Sequence, residues 1–433
     1  MSSLADRNVP LFIGFRVLFN ARWYYPILAV FFLDFGLTLE QYALLNVAWA
    51  ATIVLLEVPS GALADVIGRR RIIVLAGALM VLEFVILAFT PLGSSWLFPL
   101  FLLNRILSGA AEACASGADE SLAYDSLRAE GREQEWSAVL GRLMRWQSAA
   151  FFVAMLAGAA VYDADLVQRV THALGWNAQV SPQTTMRFPI FLTLANAVGV
   201  FLLALRMRDP EHVGTTRPAV SAGATLRQIL AAGRWILRTP AVLFVIGAGL
   251  WIDPAIRLFL TIGANYYRLI ALPEASFGLI GASMALLGMA ASAIAVRMAV
   301  RFPTALNFAI TGALAFAGLF GASWFLPRWG VIAVVPLGLA MSLVGFFLSH
   351  TLNARVTDSG LRATVLSFKG LLFNLAYGVA GLLFAGYTRA RATSGTQDSV
   401  FMEALRVLPW TFLVCGLGIA GAGWMLSRRS GPS

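Results

Sequence analysis

Long apolar stretches dominate this chain. Residues 407–426 read VLPWTFLVCGLGIAGAGWML and carry no charge, while 97–111, LFPLFLLNRILSGAA, carry a single arginine. A helix needs about 20 such residues to cross the hydrocarbon of a bilayer. In water these runs would leave a surface without polar cover. In lipid only the backbone must be satisfied internally, and a helix does that. Composition agrees: 59% of the 433 residues are hydrophobic and 12% charged, about half the charged share of an average soluble domain.

The runs predict an all-α membrane protein with twelve transmembrane helices in two pseudo-symmetric six-helix bundles. Helices are expected near 12–34, 41–62, 72–91, 96–120, 138–162 and 188–206. The second set is expected near 239–267, 276–298, 304–325, 331–352, 363–388 and 406–427. Short turns such as PLGSS at 91–95 make neighbouring helices antiparallel. Residues 1–206 and 239–433 then form the bundles. The polar stretch 207–238, with its DPEHVGTTRPAVSAG, reads as a cytoplasmic linker. Most of the 32 Lys and Arg fall on one set of alternate loops. Positive charge prefers the cytoplasmic side, which predicts both termini inside. Trp23-Tyr24-Tyr25-Pro26 matches Trp251-Ile252-Asp253-Pro254, and Ala138-Val139-Leu140 resembles Thr364-Val365-Leu366, each at equivalent places in the two halves.

Other classes rank lower on chemistry. The formal charge of +10 is spread over loops rather than gathered into a nucleic-acid patch. Cys114 and Cys415 sit far apart inside apolar runs, and His172, His212 and His350 form no ligand cluster, so neither metal nor cofactor is called for. A membrane enzyme would need a convergent nucleophile and base, and no histidine is central. A GxxxxGK[ST] phosphate loop is absent. The first apolar segment lacks a small-residue cleavage site and is expected to stay as an anchor.

The sharpest motif is Gly61-Ala-Leu-Ala-Asp65-Val-Ile-Gly68-Arg69-Arg70-Arg71, between the second and third predicted helices. It resembles the G-x-x-x-D-x-x-G-R-[RK] signature of the major facilitator superfamily, whose fold the helix count and linker match. The resemblance implies alternating access, with Asp65 and Arg69 in a charge relay that closes the cytoplasmic side against the start of the eleventh helix. Arg70 and Arg71 read equally well as topology charges. The equivalent loop in the second half, around Arg297 and Arg301, is degenerate. Residues 117–127, GADESLAYDSL, and 362–367, RATVLS, resemble a little-characterised bacterial subgroup assigned to efflux. The resemblance places the chain in the inner membrane of a bacterium.

Several polar side chains interrupt the helices. Arg105, Gly109, Glu112, Ser116 and Asp119 share one face. A charge at mid-bilayer costs about 2.5–3.5 kcal/mol on insertion scales, so it normally faces a cavity or a partner. Arg105 with Gly109 resembles the R-x-x-x-G pattern of proton-coupled antiporters; a structural Arg105–Glu112 pair is the alternative. The fifth helix, with Met155-Leu-Ala-Gly158-Ala-Ala, lacks the G-x-x-x-G-P of drug antiporters. In the first helix Asn20, Arg22 and Tyr24 are cavity candidates, while Arg16 is expected to snorkel to the interface. In the seventh, Asp253 and Arg257 lie four apart and can pair, with Thr261 and Asn265 on the same stripe. Glu57 and Glu83 read as isolated acids, and Lys369 and Asn374 open the eleventh helix.

These features predict a secondary transporter, not an enzyme, with proton-coupled export of small organic molecules ahead of uptake of a metabolite anion. Its partners are the small-molecule substrate, protons and the bilayer, and a monomer has helices enough to enclose a pathway. A sensor or scaffold without transport would tolerate loss of the membrane charges.

Overall fold

The computed structural model describes residues 3–177, 179–209, 222–355, 359–393 and 395–429. Side chains at 65, 222–226, 228–229, 232, 353–354, 359–364, 366–367 and 420–429 are not described. Every regular element among the described residues is a helix, and none is a strand. The helices are α1 (Leu4–Asn20), α2 (Leu28–Asp34), α3 (Leu39–Ile67), α4 (Arg69–Phe89), α5 (Leu97–Ala115), α6 (Ala118–Arg128), α7 (Trp136–Tyr162), α8 (Ala164–Ala173) and α9 (Pro182–Thr185). They continue with α10 (Phe188–Arg206), α11 (Ala222–Arg238), α12 (Pro240–Leu269), α13 (Ala275–Arg301), α14 (Thr304–Ala322), α15 (Val334–Arg355), α16 (Ser359–Arg391) and α17 (Gln397–Arg429). Eleven segments among the described residues are long and apolar enough to cross a membrane.

The twelfth expected span is the N-terminal one, and it is not one continuous helix. Regular bonding in α1 ends with the Ala21 N–H on the Val17 carbonyl, the Arg22 N–H turns back to Asn20, and a 3-10 turn covers Tyr25–Ile27 before α2 begins. Pro26 has no N–H to give to the carbonyl four residues before it. The fourth span is likewise divided. Gly117, with φ +74°, separates α5 from α6, and a left-handed residue costs glycine little. The linker also departs from expectation, because its second part forms α11.

The chain forms two compact units. Unit 1 holds residues 1–37, 48–226 and 273–282, and unit 2 holds 38–47, 227–272 and 283–433. Without a hydrophobic drive between lipid-embedded helices, close approach depends on small residues. In unit 1 a Cβ at Gly77 would come 2.9 Å from the Phe201 Cα, and one at Gly158 would overlap the Trp23 carbonyl. In unit 2 the Trp251 indole occupies space that side chains at Gly312 and Gly416 would fill. The Trp23 N–H donates to Thr193 Oγ1 of α10 at 3.1 Å, and Trp251 Nε1 donates to the Phe412 carbonyl of α17 at 2.7 Å. Each tryptophan ties the first helix of its half to the last.

Candidate functional site

The break after α1 carries Arg22 into the interior of unit 1, where it is 4% exposed. Its Nη1 donates to Glu83 Oε1 of α4 at 3.2 Å and to Ser108 Oγ of α5 at 3.1 Å. Nη2 lies 3.7 Å from Glu112 Oε2, one turn beyond Ser108 on α5. The guanidinium also lies over the rings of Phe19, Tyr25 and Phe84 at 5.2–5.9 Å. Glu83 is 1% exposed and Glu112 35%. One permanent cation thus faces two carboxylates, one sealed and one open. Asn104 Nδ2 donates to the Glu83 carbonyl at 2.9 Å and fixes α5 against α4 beside the cluster.

Two sequence expectations change here. Glu83 is not isolated, since it holds Arg22. Glu112 partners Arg22 rather than Arg105: residues seven apart share a face but lie about 10.5 Å apart along the axis, beyond a direct ion pair. Arg105 instead lies over Phe32 and Trp49 at 5.7 and 5.9 Å. Arg16 pairs with Asp119 at the start of α6, its Nε 2.5 Å from Asp119 Oδ2, and Asp119 is fully buried. Gly109 serves packing, as a Cβ there would come 2.8 Å from the Trp49 carbonyl. Tyr24 is 2% exposed among Phe31 and Phe84, whereas its neighbour Tyr25 is 39% exposed. Asn20 donates to the Arg16 carbonyl of its own helix at 2.9 Å.

The signature loop is a clasp within unit 1. Gly68 takes φ +96° between α3 and α4, and a Cβ there would lie 2.8 Å from Asp209 Oδ2. Arg69 pairs with Asp125 of α6. The Arg70 N–H donates to Asp209 Oδ1 at 2.9 Å, its Nε to the Met207 carbonyl at 2.7 Å and its Nη2 to the Leu205 carbonyl at 2.9 Å. Arg70 thereby satisfies the carbonyl end of α10, where orphan acceptors need partners, and is more than a topology charge. Gly61 has open space around it. The Asp65 side chain and the start of α16 lie outside the described side chains, so the relay expected between them does too.

Unit 2 holds a second polar cluster. Asp253 and Arg257 of α12 pair at 3.0 Å, and Arg257 Nη1 donates to Asn374 Oδ1 of α16 at 3.1 Å. Thr261 Oγ1 lies 3.0 Å from the Tyr377 hydroxyl, while the Tyr42 hydroxyl donates to the Thr261 carbonyl at 2.8 Å. Tyr42, Asn46, Thr261 and Tyr377 line a small recess. Lys369 Nζ lies over Phe373 at 5.7 Å. Asn265 is buried, and its Nδ2 meets no hydrogen-bond partner among the described residues. The described residues contain no group of three His, Cys, Asp or Glu able to hold a metal ion.

The sequence left Glu83, Ser108 and Tyr377 outside the candidates. One signal was available. Arg22 and Glu83 are both charges in apolar segments without a partner in their own helix, and such charges tend to find each other.

Solved structures with the same fold include the nucleoside transporter NupG, at 10% identity and TM-score 0.70 over 97% of this chain and 99% of that one. A bacterial homologue of the human lysosomal transporter Spinster, in an inward-facing and unoccupied conformation, gives 15% and 0.67 over 99% and 98%. PepTSo2, solved as a tetramer, gives 13% and 0.63 over 99% and 100%. No curated protein sequence matches the chain. The sequence model of the Major Facilitator Superfamily matches residues 11–386, and the chain belongs to that family of secondary transporters.

Proposed function

We propose that this transporter exports small organic molecules in exchange for protons by alternating access, and that Arg22, Glu83 and Glu112 form its coupling site. The supporting observation is the cluster at Arg22, where one guanidinium meets two carboxylates, one sealed and one open, and Arg105 adds positive charge near the sealed one. Glu83 is sealed against Arg22, whereas Glu112, 35% exposed and 3.7 Å away, stands open to a proton donor. Taking up a proton loosens Glu112 from Arg22, and losing it restores the pair. Arg105, Asp119 and the Asp253–Arg257 pair then hold helices in register, and the clasp of Gly68, Arg69 and Arg70 with Asp65 guards the cytoplasmic side. A monomer in a bacterial inner membrane, with both termini cytoplasmic, is the corresponding form.

The test is tolerance to a panel of toxic compounds in a bacterium stripped of its main efflux pumps. Raised tolerance that Glu112→Gln abolishes at matched membrane levels supports the reading. In everted vesicles, adding the substrate identified this way then releases a proton gradient, and the variant does not. Transport that Glu112→Gln retains with unchanged proton movement overturns it.

One observation favours a second reading, uptake of an organic anion. Arg257 is 30% exposed and held between Asp253 and Asn374, as a cation aimed at an anion would be. Accumulation of a labelled anion that Arg257→Gln abolishes, with no proton gradient required, would select it.

A further inference from the structure

We infer that the outer face of α11 is a binding surface for anionic phospholipid headgroups. Arg227, Arg234 and Arg238 stand seven and four residues apart, which places them within about 40° of one another around the helix axis. All three are exposed, and none makes an ion pair among the described residues. The opposite side of α11 rests on its own chain. Ile236 is buried, and a Cβ at Gly233 would come 2.8 Å from the Phe368 ring. On the flank beside the arginines, Leu230 and Leu237 are 50% and 68% exposed.

Position and charge choose the occupant. Arg238 precedes Pro240, the first residue of a membrane-crossing helix, by two residues. Two residues reach at most about 7 Å, so this end of α11 cannot leave the membrane boundary. No acidic residue occurs from 222 to 252, so the face has no anion of its own nearby in the sequence. A basic helix with an apolar flank lies in the interface plane, with leucines entering the acyl boundary and arginines meeting phosphates. Loop arginines that set orientation alone need neither a shared face nor exposed leucines beside it.

The test uses the full chain in detergent, titrated with fluorescent phosphatidylglycerol and, separately, with the phosphatidylcholine analogue. The intact protein should prefer phosphatidylglycerol, and that preference should shrink as salt rises from 50 to 500 mM, because interfacial charges are screened. Each single substitution, R227Q, R234Q or R238Q, should weaken phosphatidylglycerol about fivefold, and the triple variant on the order of a hundredfold. Phosphatidylcholine binding should stay as it was. The R227K/R234K/R238K variant keeps the charge and should keep the preference. If the glutamine triple does not purify as a folded protein, the single variants decide. An unchanged preference in the glutamine variants overturns the proposal. So does an intact protein indifferent to lipid charge, which would give the face to an acidic soluble partner.

Discussion

Arg22 cannot neutralise itself, whereas each carboxylate beside it can take a proton, and this asymmetry gives a sharp test of the cluster. Replacing Glu83 by Gln removes a charge-assisted hydrogen bond at 3.2 Å in a fully buried place, worth about 1.5–3 kcal/mol. Replacing Glu112 by Gln removes a half-open ion pair at 3.7 Å, worth about 0–1 kcal/mol. Either single variant leaves Arg22 one carboxylate. The double variant leaves a buried guanidinium with none, and stranding a buried charge costs about 3–5 kcal/mol. With mid-range values the two substitutions should therefore couple by about 1 kcal/mol, where independent sites add to within about 0.3–0.5 kcal/mol. Arg22→Met removes the cation and leaves two acids that protonation can quiet, so it should cost less than the double variant. The assay is unfolding of the purified protein by sodium dodecyl sulfate in mixed micelles, followed by circular dichroism. Additive effects at Glu83 and Glu112, or an Arg22→Met protein less stable than the double variant, would refute the shared-cation account.

Three further outcomes follow from the same geometry. Gly109→Val should destabilise by about 1–3 kcal/mol in that micelle assay, since even a Cβ meets the Trp49 carbonyl and Thr52 between α5 and α3. Arg70→Ala should expose the last turn of α10 to hydrogen exchange, and Arg70→Lys should not restore it, because a lysine cannot reproduce the fork that binds two carbonyls at once. At the N-terminal edge, the Ala5 N–H, then the Ser3 hydroxyl and the Arg132 guanidinium, hold the Glu130 carboxyl below the usual glutamate range. A depressed carboxyl stabilises above its unfolded value and loses that contribution as pH falls through the folded one. Protection of residues 3–8 should therefore fall below about pH 4.5, and Arg132→Ala should move that loss to higher pH.

The helices themselves were legible because the bilayer admits so few backbone solutions that a run of apolar residues nearly dictates one. Eleven of the twelve expected segments recur as spans, give or take a few residues, although Gly117 divides the fourth and α17 begins nine residues earlier than the apolar run because Gln397–Leu405 continues the helix. Breaks were not legible from apolar content. Pro26 and Pro254 occupy equivalent positions in matching tetrapeptides, yet the chain breaks at the first and α12 runs straight through the second. A proline removes one bond, and the packing around it decides whether the helix continues. The α11 helix was hidden for the converse reason, since its arginines made a composition that reads as linker. Pairings within one helix, such as Asp253 with Arg257, follow from spacing. Arg22 with Glu83, 61 residues apart, does not, and neither does Arg16 with Asp119 at a separation of 103. What the sequence did contain was the obligation. Every charge placed inside lipid needs an opposite charge or an opening, so the unpartnered charges of different helices constrain one another before any contact is known. At the Arg22 cluster that opposite charge comes from two carboxylates, and the exposed one, Glu112, is the feature on which the proposed coupling to protons rests.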